Sequence, residues 1–158
     1  MKLFPIKELN FRLIDDQAKT LNRLDRRTEK SKNLTSQYTD KSFRGIINGN
    51  EFKIISSAIG TGAFCVMTGA IASEKGNVKV EIHKVFRILL SVFLCLPLIG
   101  LIALILTKAQ EFSPIMILLM IGQILIIRYA FIEFAFTFLS KVSLNRLRDV
   151  IDLEWIEN

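Results

Sequence analysis

Side chains that could support catalysis are few and scattered in this sequence. His83 is the only histidine, so a histidine-based metal site or a Ser-His-Asp triad would lack the partners that each chemistry needs. Gly60-Thr61-Gly62 has the composition of a phosphate-binding loop, but not the glycine spacing or the helix start that dinucleotide and P-loop sites require. We interpret this tripeptide as a turn between strands. We expect a non-enzymatic protein with no catalytic residue, metal or cofactor.

A second set of polar side chains, Gln123, Arg128 and Glu133, interrupts a long apolar stretch near the C-terminal end. An ionisable residue inside a membrane segment is a functional hypothesis by default. Five residues turn an α-helix by roughly 140° beyond a full turn, so Arg128 and Glu133 are not expected to share a face. We expect Arg128 to extend toward the membrane boundary. An interhelical contact involving Gln123 is the alternative, and a transport pathway is the least favoured interpretation.

The apolar and charged residues of the chain are segregated. Hydrophobic residues make up 51% of the 158 residues and charged residues 23%. Residues 86–107 are almost uninterruptedly apolar and, at about 1.5 Å per residue, long enough to cross a core of about 30 Å. Residues 115–139 form a second such stretch after a short linker. The sequence therefore predicts a transmembrane hairpin of two antiparallel helices over residues 86–139, with the lipid bilayer as its partner.

The orientation of this hairpin is predicted by its basic flanks. Fifteen lysines and arginines precede the first span between Lys2 and Lys84, Lys108 alone lies in the linker, and Lys141, Arg146 and Arg148 follow the second span. This asymmetry places both termini in the cytoplasm, here of a bacterial inner membrane. The N-terminal residues are charged throughout, so no cleavable signal peptide is expected. The net charge of +6 is assigned to the membrane surface and not to nucleic acid, for which no motif is present.

The remaining residues predict an α+β cytoplasmic part built on a four-stranded antiparallel β-meander over residues 42–85. Asn48-Gly49 between two apolar runs indicates a two-residue type I′ hairpin, and residues 73–77 indicate a second turn. In the last strand, apolar and polar residues alternate, which predicts one buried and one solvated face. The buried set is Val78, Val80 and Ile82, and the solvated set is Lys79, Glu81 and His83.

Helices are predicted on both sides of this meander. Residues 6–31 carry leucine and isoleucine at helical spacing and predict an amphipathic helix, which with the polar linker 32–41 forms the first segment of the chain. This helix could pack on the sheet, lie on the bilayer or mediate self-association. Residues 140–158 predict a cytoplasmic C-terminal helix, with Trp155 in the core. Cys65 and Cys95 are interpreted as small buried hydrophobic residues and not as a disulfide.

Three stretches carry a resemblance to known proteins. FRGIINGNEFKI (residues 43–54), VKVEIHKVFRILL (residues 78–90) and FIEFAFTFLSKVSLNRL (residues 131–147) resemble a group of small uncharacterised bacterial proteins with two transmembrane helices and an N-terminal β segment. The resemblance implies the architecture described above. It implies no activity.

Two classes of function fit these expectations. The first is a protein that presents its β domain for partner binding or homo-oligomerisation, since a meander with exposed edges and an amphipathic helix are both association surfaces. The second resembles, in architecture only, the cyclic-nucleotide-gated membrane-disrupting effectors of bacterial anti-phage systems. Under that hypothesis Arg44, Lys53, Lys79 and His83 would face the nucleotide, although the sequence identifies no small-molecule ligand.

Overall fold

The chain has an α+β fold with a seven-stranded sheet and two helices able to span a membrane, as given by a computed structural model. The structure describes residues 3–35, 37–58, 62–107 and 113–156. The chain divides into two compact units. One comprises Met1–His83 together with Phe136–Asn158, and the other comprises Lys84–Ala135. The unit that holds the sheet is therefore discontinuous in sequence.

The sheet contains every strand of the described chain in the order β2-β3-β4-β5-β6-β1-β7. Only the β2–β3 pair is parallel. The predicted four-stranded sheet is corrected to seven strands, because three further strands flank the pairs that the alternating pattern suggested. The strands are β1 (Ile6–Leu13), β2 (Thr28–Lys30), β3 (Phe43–Asn48), β4 (Glu51–Ser56), β5 (Cys65–Ile71), β6 (Lys75–Ile82) and β7 (Leu153–Ile156).

The turn between β3 and β4 differs in register from the type I′ turn that the sequence predicts. Asn48 pairs with Glu51, so Gly49 and Asn50 are the two central residues. Gly49 has a φ of 57°, whereas Asn50 is not among the residues with positive φ. A positive φ at the first central position alone is the pattern of a type II′ turn, in which glycine takes that position. The predicted hairpin is therefore present, but its turn lies one residue later than the sequence pattern predicts.

The N-terminal segment is only partly helical, so the predicted helix over residues 6–31 is wrong at both ends. Ile6–Leu13 form strand β1, Gln17–Arg27 form helix α1, and Thr28–Lys30 form strand β2. In β1, Phe11 and Leu13 are buried while the residues between and before them are exposed, which is the two-residue period of a strand. Tertiary pairing overrides the helical spacing here, because β6 offers β1 seven consecutive partners.

The C-terminal segment also departs from the prediction of one helix over residues 140–158. Helix α4 (Glu133–Ile151) ends at Asp152, which has a φ of 49°, and the chain continues as strand β7. The apolar stripe Leu144, Leu147 and Ile151 is buried, as a core-facing stripe requires. Trp155 is half-buried on β7.

The inner face of the sheet forms the core of the first unit. Alternate residues of each strand are buried on this face, among them Phe11, Phe52 and Ile54. Phe11 of β1 pairs with Gly76 of β6, where an added Cβ would overlap the Phe11 ring. On its other side Phe11 pairs with Trp155, and the two rings meet edge to face with centroids 6.1 Å apart. This geometry is favourable for aromatic pairs.

The second unit consists of apolar helices. Helix α2 (Lys84–Thr107) contains no buried residue, and neither does helix α3 (Pro114–Leu125). Helix α3 continues through a π-helical segment, Ile126–Ile132, into α4, so that one uninterrupted helix of 38 residues runs from Pro114 to Ile151. Both helices are long and apolar enough to cross a membrane. α2 and α3 contact each other within the unit.

Replacing Phe11 by alanine should destabilise the sheet unit by about 3–5 kcal/mol, because the fully buried ring leaves a cavity between β6 and β7. Trp155 is the only tryptophan, so its fluorescence reports urea unfolding of this contact directly. The matched control is Ile14→Ala, whose side chain is 64% exposed and should change stability by no more than about 0.5 kcal/mol. Equal effects of the two substitutions would contradict the assignment of β1 to the core.

Candidate functional site

The outer face of the sheet brings two of the predicted ligand-binding residues together. Lys53 of β4 pairs with Thr68 of β5, and Thr68 pairs with Lys79 of β6. Directly paired residues point to the same face, so these three side chains form one row across the sheet. The two lysines are separated by one strand, which places their Cβ atoms about 10 Å apart. Both ammonium groups can therefore reach one anion above Thr68.

This row lies in an open groove of about 510 Å³, which we call the outer groove. Lys79 has an acidic neighbour, because its Nζ lies 3.9 Å from Oε2 of Glu81. Lys53 is exposed and has no ion-pair partner within the described chain. The groove combines two cations with amide and hydroxyl groups. Its lining residues are Ile46, Asn48, Glu51, Phe52, Lys53, Thr68, Gly69, Ala70, Asn77 and Lys79.

Arg44 lies on the same face but is already committed to neighbouring groups. Its Nη1 donates to the carbonyl oxygen of Thr35 at 3.3 Å and to Oε1 of Gln37 at 2.6 Å. Its Nε lies 3.9 Å from a carboxylate oxygen of Glu29, and the side chain is only 12% exposed. Arg44 thus fastens the chain that precedes β3 and is not part of the outer groove.

His83 is also separate from the two lysines. It follows the end of β6, and its backbone N–H donates to the carbonyl oxygen of Phe64 at 2.9 Å. Near this end of the sheet Ile55 and Val66 are buried although they point to the outer face. The outer face is therefore covered at the Arg44 end and open over Lys53 and Lys79. Two of the four predicted ligand residues share a site, and two do not.

A cluster of charges that the sequence pattern did not reveal lies beside α1. Arg23 donates through Nη2 to Asp15 Oδ2 at 2.5 Å and through Nη1 to Asp152 Oδ2. Asp152 lies in the turn between α4 and β7, so Arg23 links both ends of the unit. These residues are far apart in sequence and carry no motif. The surrounding cleft also holds Arg26, Arg27, Lys41, Asp40 and Asp149.

The charges of this cleft nearly balance, which argues for a structural role. Arg23 is used by two carboxylates, and Lys41 donates to the carbonyl oxygen of Thr28 at 3.2 Å. Exposed ion pairs of this kind contribute little to stability individually. Their value here is that they connect elements distant in sequence. We therefore place the candidate site in the outer groove and not in this cleft.

In the second unit, Arg128 and Glu133 are paired, so the prediction that they lie on different faces is wrong. Arg128 Nη1 lies 3.2 Å from Glu133 Oε2. The reason is the π-helical segment Ile126–Ile132, in which hydrogen bonds join residues five apart and bring such residues one above the other. The Arg128 guanidinium also lies 5.2 Å from the centroid of the Tyr129 ring. Gln123 is exposed on α3.

The two cysteines differ in their surroundings. Cys65 is fully buried in β5, and Cys95 is exposed on α2. Burial raises the pKa of the Cys65 thiol to about 12. Within the described residues, no three His, Cys, Asp or Glu side chains are grouped so that they could hold a metal ion. The Gly60-Thr61-Gly62 turn lies largely outside the described residues.

Cys65 should be almost inert toward iodoacetamide in the folded protein. With its pKa near 12, the thiolate fraction at pH 8 is about 10³-fold below that of an ordinary thiol. Peptide mass spectrometry after timed alkylation measures the rate, with the protein unfolded in guanidinium as the control. Rapid labelling of Cys65 in the folded protein would contradict its burial.

The same burial predicts a pH dependence of stability. Since the pKa of Cys65 is higher in the folded state than its ordinary value of 9.0, the stabilisation from the neutral thiol is complete below pH 9 and is lost as the pH rises toward 12. Relative to Cys65→Ala, the wild-type free energy of unfolding should fall by about 1.4 kcal/mol per pH unit in that window. Parallel curves for the two proteins would refute the shift.

The functional assignment rests on these side chains and their surroundings. No protein-family model, no curated protein and no solved structure matches this chain. The outer groove, with Lys53 and Lys79 on either side of Thr68, is the site that the geometry offers for binding.

Proposed function

We propose that this chain is a non-enzymatic two-pass protein of the bacterial inner membrane that presents a cytoplasmic β domain to a partner. The observation that supports the membrane anchor is that α2 and α3 bury none of their side chains, although both are apolar on every side. A helix that is hydrophobic all round needs an apolar surrounding. The bilayer supplies it, and the basic residues before Lys84 favour cytoplasmic termini.

The bacterial assignment has a separate basis. It rests on the resemblance of residues 43–54, 78–90 and 131–147 to small bacterial two-helix membrane proteins.

The partner-binding surface in this proposal is the outer groove. The edges of the meander are partly covered, because β1 pairs along β6 and β2 pairs with residues 43–45 of β3. The inner face is buried in the core. The outer face remains open over Lys53, Thr68 and Lys79, where cations alternate with polar and small side chains. We propose that it receives an acidic protein surface, in a second copy of the chain or in another protein.

Reporter fusions test the membrane topology. A phosphatase that is active only in the periplasm should be silent when fused after Asn158 and active when inserted between residues 108 and 112. A cytoplasm-active reporter at the same two positions should give the opposite result and controls for expression. Periplasmic activity of the fusion after Asn158 would refute the proposed orientation.

Charge reversal tests the binding surface. Lys53→Glu combined with Lys79→Glu should weaken partner capture or self-association at least about tenfold, because like charges across an interface repel. The control is Lys32→Glu, an exposed lysine in the segment after β2 that does not line the outer groove. Native mass spectrometry of the purified protein in detergent reports the oligomeric state and any bound molecule. Equal association of the variants would exclude the outer groove as the interface.

A nucleotide-gated effector is the second candidate, and the pairing of Lys53 and Lys79 across Thr68 is the observation that favours it. Two ammonium groups at this separation suit the phosphates of a cyclic nucleotide. Expression in cells with and without candidate cyclic dinucleotides distinguishes the two roles. Ligand-dependent growth arrest with membrane depolarisation would favour the effector, and failure of the purified protein to bind any nucleotide of a panel would exclude it.

A further inference from the structure

The π-helical segment Ile126–Ile132 is an unusual feature within the long helix Pro114–Ile151. Helices of this type are rare, and they occur mostly as single turns at functional sites. Here the segment extends over seven residues. It contains Arg128 and ends immediately before Glu133, so the segment and the ion pair coincide.

The spacing of the ion pair matches the π-helical geometry. In an α-helix, two residues five positions apart differ in direction by roughly 140°, which separates their side chains. An i→i+5 hydrogen-bond pattern places one more residue in each turn and returns residue 133 to the side of residue 128. The π-helical form thus favours the 3.2 Å separation of Arg128 Nη1 and Glu133 Oε2, because it brings the two positions to the same side of the helix.

The surroundings favour the paired state. Arg128 is 13% exposed, and its neighbours in the segment are isoleucine, alanine, phenylalanine and tyrosine. An arginine without a partner is costly in such an environment. The Tyr129 ring, 5.2 Å from the guanidinium, adds a second favourable contact. These contacts offset the poorer hydrogen-bond geometry of the π-helix.

We propose that Arg128 and Glu133 are the lock of a two-state helical element. With the pair formed, residues 126–132 are π-helical and the helix after residue 132 lags by about one residue, or about 100°, in rotational phase. With the pair broken, the segment becomes α-helical and the lag disappears. Breaking the pair therefore rotates the side chains after the segment by about 100° around the helix axis, relative to the side chains before it.

Nitroxide scanning measures this phase. Single cysteines are placed at positions 115 to 139, except 128 and 133, in a Cys95→Ala background, while the buried Cys65 is retained because it does not react. Oxygen accessibility of each label is measured in phosphatidylcholine nanodiscs. In the otherwise wild-type protein, the labels after residue 132 should lag behind the period set by residues 115–125 by about 100°. Glu133→Gln and Arg128→Gln should each abolish the lag.

Two further variants test whether the lag depends on the spacing of the two charges and not on the composition of the segment. Exchange of the two charges, Arg128→Glu with Glu133→Arg, retains an i,i+5 pair and should retain the lag. Moving the base by one position, Arg128→Tyr with Tyr129→Arg, keeps composition and charge but offers an i,i+4 pair, which an α-helix satisfies; Tyr129 is 49% exposed and therefore accepts a charge. This variant should show no lag.

The outcomes test the lock directly. Persistence of the lag in Glu133→Gln, or in the variant with the displaced base, would overturn the proposal, as would its loss on charge exchange. This inference rests on the proposed membrane location, and the experiment distinguishes a wrong location from a wrong lock. A chain outside the bilayer would give low oxygen accessibility at every label, whereas a wrong lock would give a lipid-exposed helix of unchanged phase.

Discussion

Strand β1 is the element on which the arrangement of the first unit depends. It lies between β6, which precedes the apolar helices in the chain, and β7, which follows them. Phe11 contacts both neighbours, through Gly76 on one side and the Trp155 ring on the other. The eight residues of β1 therefore connect the strand before the apolar helices with the strand after them. Backbone hydrogen bonds supply the pairing, and burial of the Phe11 ring makes it specific.

This closure also decides which surfaces remain for binding. With β1 on one side and β2 on the other, the strands that carry Lys53, Thr68 and Lys79 have no free edge. The inner face is filled by apolar side chains. What is left is the outer face, and Arg44 reduces it further by holding the preceding loop through Thr35 and Gln37. The outer groove is thus defined as much by what covers its surroundings as by its own residues.

The second unit follows a different constraint. In its helices almost every side chain is apolar and none of α2 or α3 is buried, so lipid and not protein packing would satisfy them. A charged side chain in such a helix must find its partner locally. Arg128 and Glu133 do so by a change of backbone geometry, since their spacing suits a π-helix and not an α-helix. The ion pair and the π-helical backbone thus occur in the same part of the helix.

The sequence by itself determined the features that depend on neighbouring residues. The apolar helices follow from composition, and the burial of Val78, Val80 and Ile82 follows from alternation. Tertiary structure alone decided the rest. Residues 6–13 have apolar positions compatible with a helix or a strand, and pairing with β6 selects the strand. Residues 153–156 are too few to form a stable strand unless β1 offers an edge. The joining of Lys53 with Lys79, and the π-helical pairing of Arg128 with Glu133, likewise depend on backbone geometry that no local propensity encodes.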